Sequence, residues 1–305
     1  LPFTAEAGKE PPPDFSWYDG LWAHERCNIP SDPKISFGRL PNGLRYAIMR
    51  NTTPSDGVAM RLRIGSGSIE ESNEQQGLAH FLEHMAFRGS KNVADGEVVH
   101  MLERQGLRFG PDTNAFTAQD QTVYMFNFPK ADASALDTGL SLFREIGERL
   151  TLAPAAIEAE TGVVLSEDRV RDVPPYRMAK ANLGNALAGT RAVQRWPIGT
   201  VETIKAATPE RLRAYYSANY RPDNATLIVV GNIDPAKVEA EIKARFSDWK
   251  ASGKATFADP GQPMPTARAG EFSAPGAPDI LTLSWVRQVD RRADTEAVDR
   301  EQLIQ

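Results

Sequence analysis

His80, Glu83 and His84 stand close together in the segment Gly77-Leu78-Ala79-His80-Phe81-Leu82-Glu83-His84-Met85, and their types and spacing could do chemistry. On a helix, residues four apart lie one turn above each other, so His80 and His84 can grip one ion from the same face. Two imidazoles so placed suit zinc, which takes nitrogen and oxygen ligands in a tetrahedral set. Cys27 is the only cysteine, so no internal disulfide can form and a metal site here must use nitrogen and oxygen donors. Glu83 precedes His84, which brings a carboxylate beside the ion. There it can take a proton from a water polarised by the metal and pass it to a leaving amine. Leu78, Phe81, Leu82 and Met85 form a separate apolar stripe at helical spacing, so one helix has a side for the core and a side for chemistry.

The order His-x-x-Glu-His is the inverzincin order. A catalytic zinc of this kind needs a third protein ligand and one open position. The stretch Ala159-Glu160-Thr161-Gly162-Val163-Val164-Leu165-Ser166-Glu167 offers two acids seven apart, about two helical turns. Both can face one cavity, and spacing alone does not choose between Glu160 and Glu167. His24, in a proline-rich arm, and His100, in a helical stretch, are read as ordinary residues.

The elements that must position these side chains are legible in outline. Residues 35–40 and 44–49 flank Pro41-Asn42-Gly43 and predict a hairpin. Residues 58–64 alternate apolar and polar and stop at Gly65-Ser66-Gly67, a strand signal. Helical periodicity follows over 75–87 and 95–105, strands near 109–116 and 122–128, then helical stretches over 133–150 and 154–185. A loop with Trp196-Pro197 leads to a helix near 209–216, a buried strand at 225–230, and a helix begun by Asp234 and Pro235. The order of strands and helices predicts an α+β fold.

Four segments are expected: a proline- and aromatic-rich arm at 1–34, with Phe15, Trp17, Tyr18 and Trp22 available for docking; a main domain at 35–250; a loose linker at 251–279; and the start of a second α/β domain at 280–305, opening with a strand at 280–286. The chain begins with Leu1 and stops inside that last element, so it is read as a piece of a longer protein. A net charge of -5 and a pI near 5.6 argue against a general nucleic-acid binder, and no apolar run is long enough to cross a bilayer.

Beyond these readings, the sequence resembles the pitrilysin, insulysin and mitochondrial-processing-peptidase family of zinc endopeptidases. Leu40-Pro41-Asn42-Gly43-Leu44-Arg45, residues 77–89, Asn114-Ala115-Phe116-Thr117 and Tyr220-Arg221-Pro222-Asp223-Asn224-Ala225 carry the resemblance, in order, over about residues 36–236. It implies a mostly antiparallel sheet packed by helices and one zinc per chain. The ligands would be His80, His84 and Glu167, with Glu83 as general base and Glu160 as a supporting acid that orients a ligand. Thr161 departs from the pattern, because many members have arginine there. The resemblance also implies that peptide or unfolded polypeptide adds as a strand beside residues 114–117, with Asn114, Ala115 and Thr117 as contacts. A C-terminal half or partner subunit completes the enclosure in relatives, and this chain could be inactive without it. The proline-rich arm and residues 287–291 are most similar to long exported bacterial members, which favours an exported or periplasmic location over a cytoplasmic one. A non-catalytic scaffold is the competing reading, and the complete set His80, Glu83, His84 and Glu167 speaks against it.

Overall fold

Alternation along residues 58–64 puts Val58, Met60, Leu62 and Ile64 on one face and Ala59, Arg61 and Arg63 on the other, and the first four are buried. The computed structural model describes residues 21–25, 27–251, 257–264, 266, 268–276, 279–286 and 295–304. In it this strand, β3 (Val58–Ile64), lies inside a six-stranded sheet with β1 (Ile35–Arg39), β2 (Arg45–Arg50), β4 (Thr113–Thr117), β5 (Thr122–Phe128) and β6 (Ala225–Gly231), in the order β1-β2-β6-β3-β5-β4. Four of the five pairings are antiparallel, and only β2 with β6 is parallel, so the sheet is mixed and mostly antiparallel. Helices cover the face that carries Tyr46, Ile48, Met60, Leu62, Tyr124, Phe126, Leu227 and Val229, and the fold class is α+β as expected.

The β1–β2 hairpin turns where Gly43 adopts φ +96, and a Cβ there would sit 2.9 Å from Asp223 Cα, so only glycine fits. Asn42 ties this turn to the far end of the fold by donating from Nδ2 to the carbonyls of Phe246 (2.7 Å) and Trp249 (3.0 Å). Helices α1 (Leu78–Met85), α2 (Glu97–Arg104), α3 (Ala133–Glu148), α4 (Pro154–Arg171), α5 (Pro174–Ala186), α6 (Val201–Lys205), α7 (Pro209–Asn219) and α8 (Pro235–Phe246) complete the main body. Phe143 of α3 stacks on Phe126 of β5 at 4.7 Å, fixing α3 on the sheet. Asp234 caps α8, accepting from Ala236 N at 3.0 Å, as its position before Pro235 predicts. No helix among the described residues is long and apolar enough to cross a membrane.

Two expectations need correction. The stretch 154–185 is not one helix: it breaks at Asp172 and Val173, before Pro174-Pro175. Proline forces the preceding residue out of the helical region, and Val173 sits at φ -107, ψ 157. Residues 280–286 form no strand; Leu281 and Trp285 are exposed, and among the described residues no neighbour pairs with them. The short helix α6 had no signal strong enough to read. Residues 257–264 run as an irregular strap, with Arg191 N bonded to Pro260 O and Met264 N bonded to Ala188 O, each at 2.8 Å.

The chain divides into two compact units, residues 32–289 and a smaller one made of 1–31 with 290–305. In the smaller unit, helix α9 (Glu296–Ile304) starts where Asn28 Oδ1 accepts from Glu296 N at 3.0 Å. Phe15, Trp17 and Tyr18 of the arm, and residues 287–291, lie outside the described residues.

Candidate metal centre

The local fold around α1 begins with a buried acid. Glu71 is fully buried in the loop before the helix, where its carboxylate accepts from Gly77 N at 2.9 Å and Ala79 N at 2.8 Å. These are donors that a helix start leaves without intrahelical partners. Burial pushes the Glu71 carboxyl up to about 8, against the pull of those two N–H bonds. Its backbone carbonyl is gripped by Arg195 Nε (3.0 Å) and Arg191 Nη2 (2.5 Å). Gly77 takes φ +88 at this corner, with Gly199 Cα 2.9 Å from where a Cβ would lie. Replacing Glu71 by alanine strands two buried N–H groups, each costing about 1–3 kcal/mol, so urea denaturation should show a loss of roughly 2–6 kcal/mol. Glu71→Gln should lose less, because its amide oxygen still accepts one of them.

From this anchored start, α1 buries Leu78, Phe81, Leu82 and Met85 and turns His80, Glu83 and His84 toward α4 and β4. His80 Nε2 and His84 Nε2 are 3.3 Å apart. Glu167 Oε2, from α4, lies 3.3 Å from His84 Nε2 and 3.5 Å from His80 Nε2. These three residues are the one group among the described residues whose ligand atoms could hold a metal ion together. The spacing itself tests the fit. A tetrahedral zinc with bonds of ~2.0–2.1 Å needs donor atoms about 3.3–3.4 Å apart; two edges, at 3.3 Å, match, and the third, at 3.5 Å, is slightly longer.

The remaining atoms hold these donors in place. Glu160 Oε1 bonds His84 Nδ1 at 2.9 Å, and Glu160 Oε2 accepts from Arg88 Nη1 at 3.2 Å. Arg88 is clamped in turn by Asp95, with bonds of 2.9 and 3.0 Å. Thr161, where an arginine could have stood, bonds back to Ile157 O at 2.8 Å; the cation on Glu160 comes from Arg88 instead. The Nδ1 of His80 is buried with no hydrogen-bond partner among the described residues. Glu167 Oε1 pairs with Arg171, one turn further along α4. Contact with His84 holds the Glu167 carboxyl down to about 2. Burial and the neighbouring His84 lower His80 to about 4, while for His84 burial is outweighed by Glu160 and Glu167, raising it to about 9.

Glu83 is 8% exposed and sits beside the donors, its Oε2 accepting from Thr117 Oγ1 at 2.5 Å. Burial pushes its carboxyl up to about 7 against that hydrogen bond. Thr117 belongs to β4, which among the described strands pairs with β5, has Thr113 bridged to Phe109 on its other side, and forms the edge of the sheet next to the site. Asn114 is exposed on the same strand, its Oδ1 accepting from Ala115 N at 2.8 Å, and Ala115 packs against the core. A cleft of about 370 Å³ joins these groups, with Phe87, Phe109 and Phe116 as apolar wall and Arg88 and Arg171 as cations. Phe87 and Phe109 meet edge to face at 5.5 Å. His100 lies away from the cleft, exposed and beside Glu103 at 3.2 Å.

Sequence reasoning passed over Glu71, Arg88 and Arg171. Arg171 stands four residues after Glu167, a legible helical spacing. Arg88 is seven residues from Asp95 and distant from Glu160, and Glu71 acts from a loop, where no periodicity signals it.

An edge strand beside a helix carrying His-x-x-Glu-His, with an acid from a second helix, defines a metallopeptidase-type fold and site. Residues 46–193 match the family described as "Insulinase (Peptidase family M16)", and residues 206–287 match "Peptidase M16 inactive domain". The chain belongs to the insulinase family, M16. It is 38% identical over 230 residues to the "Probable zinc protease PqqL" of Haemophilus influenzae, covering 75% of this chain and 25% of that protein. The crystal structure of the first half of the periplasmic protease PqqL from Escherichia coli superposes with a TM-score of 0.71 at 38% identity, covering 75% of this chain and 50% of that one. The chloroplastic stromal processing peptidase of Oryza sativa subsp. japonica is 31% identical over 271 residues, covering 87% of this chain and 21% of that protein. The chain thus spans about a quarter of the length of the PqqL proteins it matches.

Proposed function

We propose that this chain carries the zinc centre and general base of an endopeptidase that hydrolyses peptides or unfolded segments. The observation that carries the reading is the triangle of His80 Nε2, His84 Nε2 and Glu167 Oε2, with edges of 3.3–3.5 Å, beside the buried carboxylate of Glu83. One zinc held by these three residues would supply Lewis-acid polarisation of a peptide carbonyl and acidify a water. Glu83 acts as the proton carrier: its carboxylate takes the proton from the attacking water and returns it to the departing amine. Thr117 donates to Glu83 Oε2 and so fixes which way the carboxylate faces. Glu160 orients His84 through Nδ1. Past the Thr113–Phe109 bridge, the outer edge of β4 is where an extended peptide would add as a strand, displacing the Asn114 side chain from Ala115 N, with Asn114, Ala115 and Thr117 along it; strand addition suits loose sequence preference.

The names of the relatives support the same class, since PqqL is described as a zinc protease and as periplasmic. We assign this protein to the same exported setting. The rest of the longer protein, a C-terminal half, is the partner that would close over the peptide, and this chain alone would be a poor peptidase. Zinc analysis of the purified chain tests the reading: about one zinc per chain is expected, lost on chelation and regained on adding zinc. A chain that binds no zinc at micromolar concentration would overturn it.

A further inference from the structure

Glu167 differs from the other groups at the site in its exposure. The side chains of His80, Glu160 and His84 are 6%, 9% and 19% exposed, and that of Glu167 is the most open at 27%. A glutamate on the open side of a cleft has several rotamers available and must be held if it is to meet two imidazoles. Packing supplies little of that restraint. Among the described residues its Oε1 has one partner, the guanidinium of Arg171, four residues on along α4. Glu160 is secured in the same manner, one oxygen on His84 and the other on Arg88. Glu160 and Glu167 thus each present one oxygen to the histidine side of the cleft and give the other to an arginine.

We propose that Arg171 is a positioning residue for Glu167: it holds Oε1 so that Oε2 alone faces His80 and His84. The inference rests on the zinc reading above. Two effects of Arg171 oppose each other. A cation beside a ligand weakens its pull on a metal, while an ordered carboxylate binds without further loss of side-chain freedom. The Arg171 side chain is 48% exposed, so solvent screens its charge and the electrostatic effect is small. Orientation therefore dominates, and losing Arg171 weakens zinc binding.

The test is zinc binding to the whole chain, measured by competition with a chromophoric chelator, for wild type, Arg171→Ala, Arg171→Lys and His80→Ala. Arg171→Ala should bind zinc 10–100-fold more weakly, with the melting temperature of the zinc-free protein unchanged. Arg171→Lys should recover part of the loss, because an ammonium can still reach Oε1. X-ray absorption should report one carboxylate oxygen on zinc in the wild type and a mixture of one and two in Arg171→Ala. Equal or tighter zinc binding in Arg171→Ala, with wild type binding one zinc and His80→Ala none, overturns the role of Arg171 alone. Wild type that binds no zinc, indistinguishable from His80→Ala, overturns the underlying zinc reading instead.

Discussion

Glu83→Gln should bind zinc as the unmodified protein does and hydrolyse peptides 10²–10⁴-fold more slowly, roughly the span attributed to a positioned general base. The substitution suits the question because it changes little else. Glutamine has the same length, and its amide oxygen can accept the hydrogen bond that Thr117 Oγ1 now makes to Glu83 Oε2. The residue is buried on α1 where the helix faces β4, so the replacement also removes an expensive buried carboxylate, and the fold should be at least as stable. An alanine would open a cavity and blur the result. The assay belongs on the full-length protein, with an unstructured fluorogenic peptide as substrate, because this chain spans about a quarter of its PqqL relatives. Zinc content measured on the same preparations separates loss of the base from loss of the metal. Hydrolysis at the wild-type rate by zinc-loaded Glu83→Gln would remove Glu83 from the mechanism.

How much of this was legible beforehand depends on the kind of physics at each residue. Strands with a buried and a solvated face announce themselves by alternation, so residues 58–64 and 122–128 were read with the bounds later found for β3 and β5. The juxtaposition of His80 with His84 follows from helical geometry and needs no tertiary information. The choice between Glu160 and Glu167 is different. Seven residues is nearly two turns, so both acids share a face, and no spacing rule can tell which meets the Nε2 side of the histidines. The docking of α4 against α1 decides that: Glu167 Oε2 lies against both Nε2 atoms, while Glu160 meets His84 from its Nδ1 side. Docking is a property of packing, here with Val164 and Ile157 of α4 buried in the core. The break before Pro174 is legible as a proline pair, since proline forces the residue before it out of the helical region. Residues 280–286 erred the other way, since an apolar run predicts a strand only where a neighbour exists to pair with it.

Removing one vertex of the donor triangle should have the second large effect. His80→Ala and Glu167→Ala should each lose stoichiometric zinc, because two protein donors leave the ion one ligand short of the three a catalytic site needs. Glu160→Gln should keep the metal but bind it 10–100-fold more weakly, since the amide holds His84 Nδ1 less firmly than a carboxylate that is itself anchored by Arg88. Melting temperature alone would mislead here. His80 is buried with Nδ1 unpartnered among the described residues, so alanine relieves one cost while leaving a cavity, and the metal-free protein could move in either direction. The informative quantity is the shift caused by zinc. At a free zinc concentration 1,000-fold above the dissociation constant, a site confined to the folded state adds about 4 kcal/mol, or roughly 8–15 °C for a body of this size. Differential scanning calorimetry with and without zinc should show that shift in wild type, a smaller one in Glu160→Gln at limiting zinc, and none in His80→Ala or Glu167→Ala. A full zinc-induced shift in Glu167→Ala would mean that another acid closes the triangle, and Glu160, two turns away on the same helix, would be the first to replace it in the ligand set.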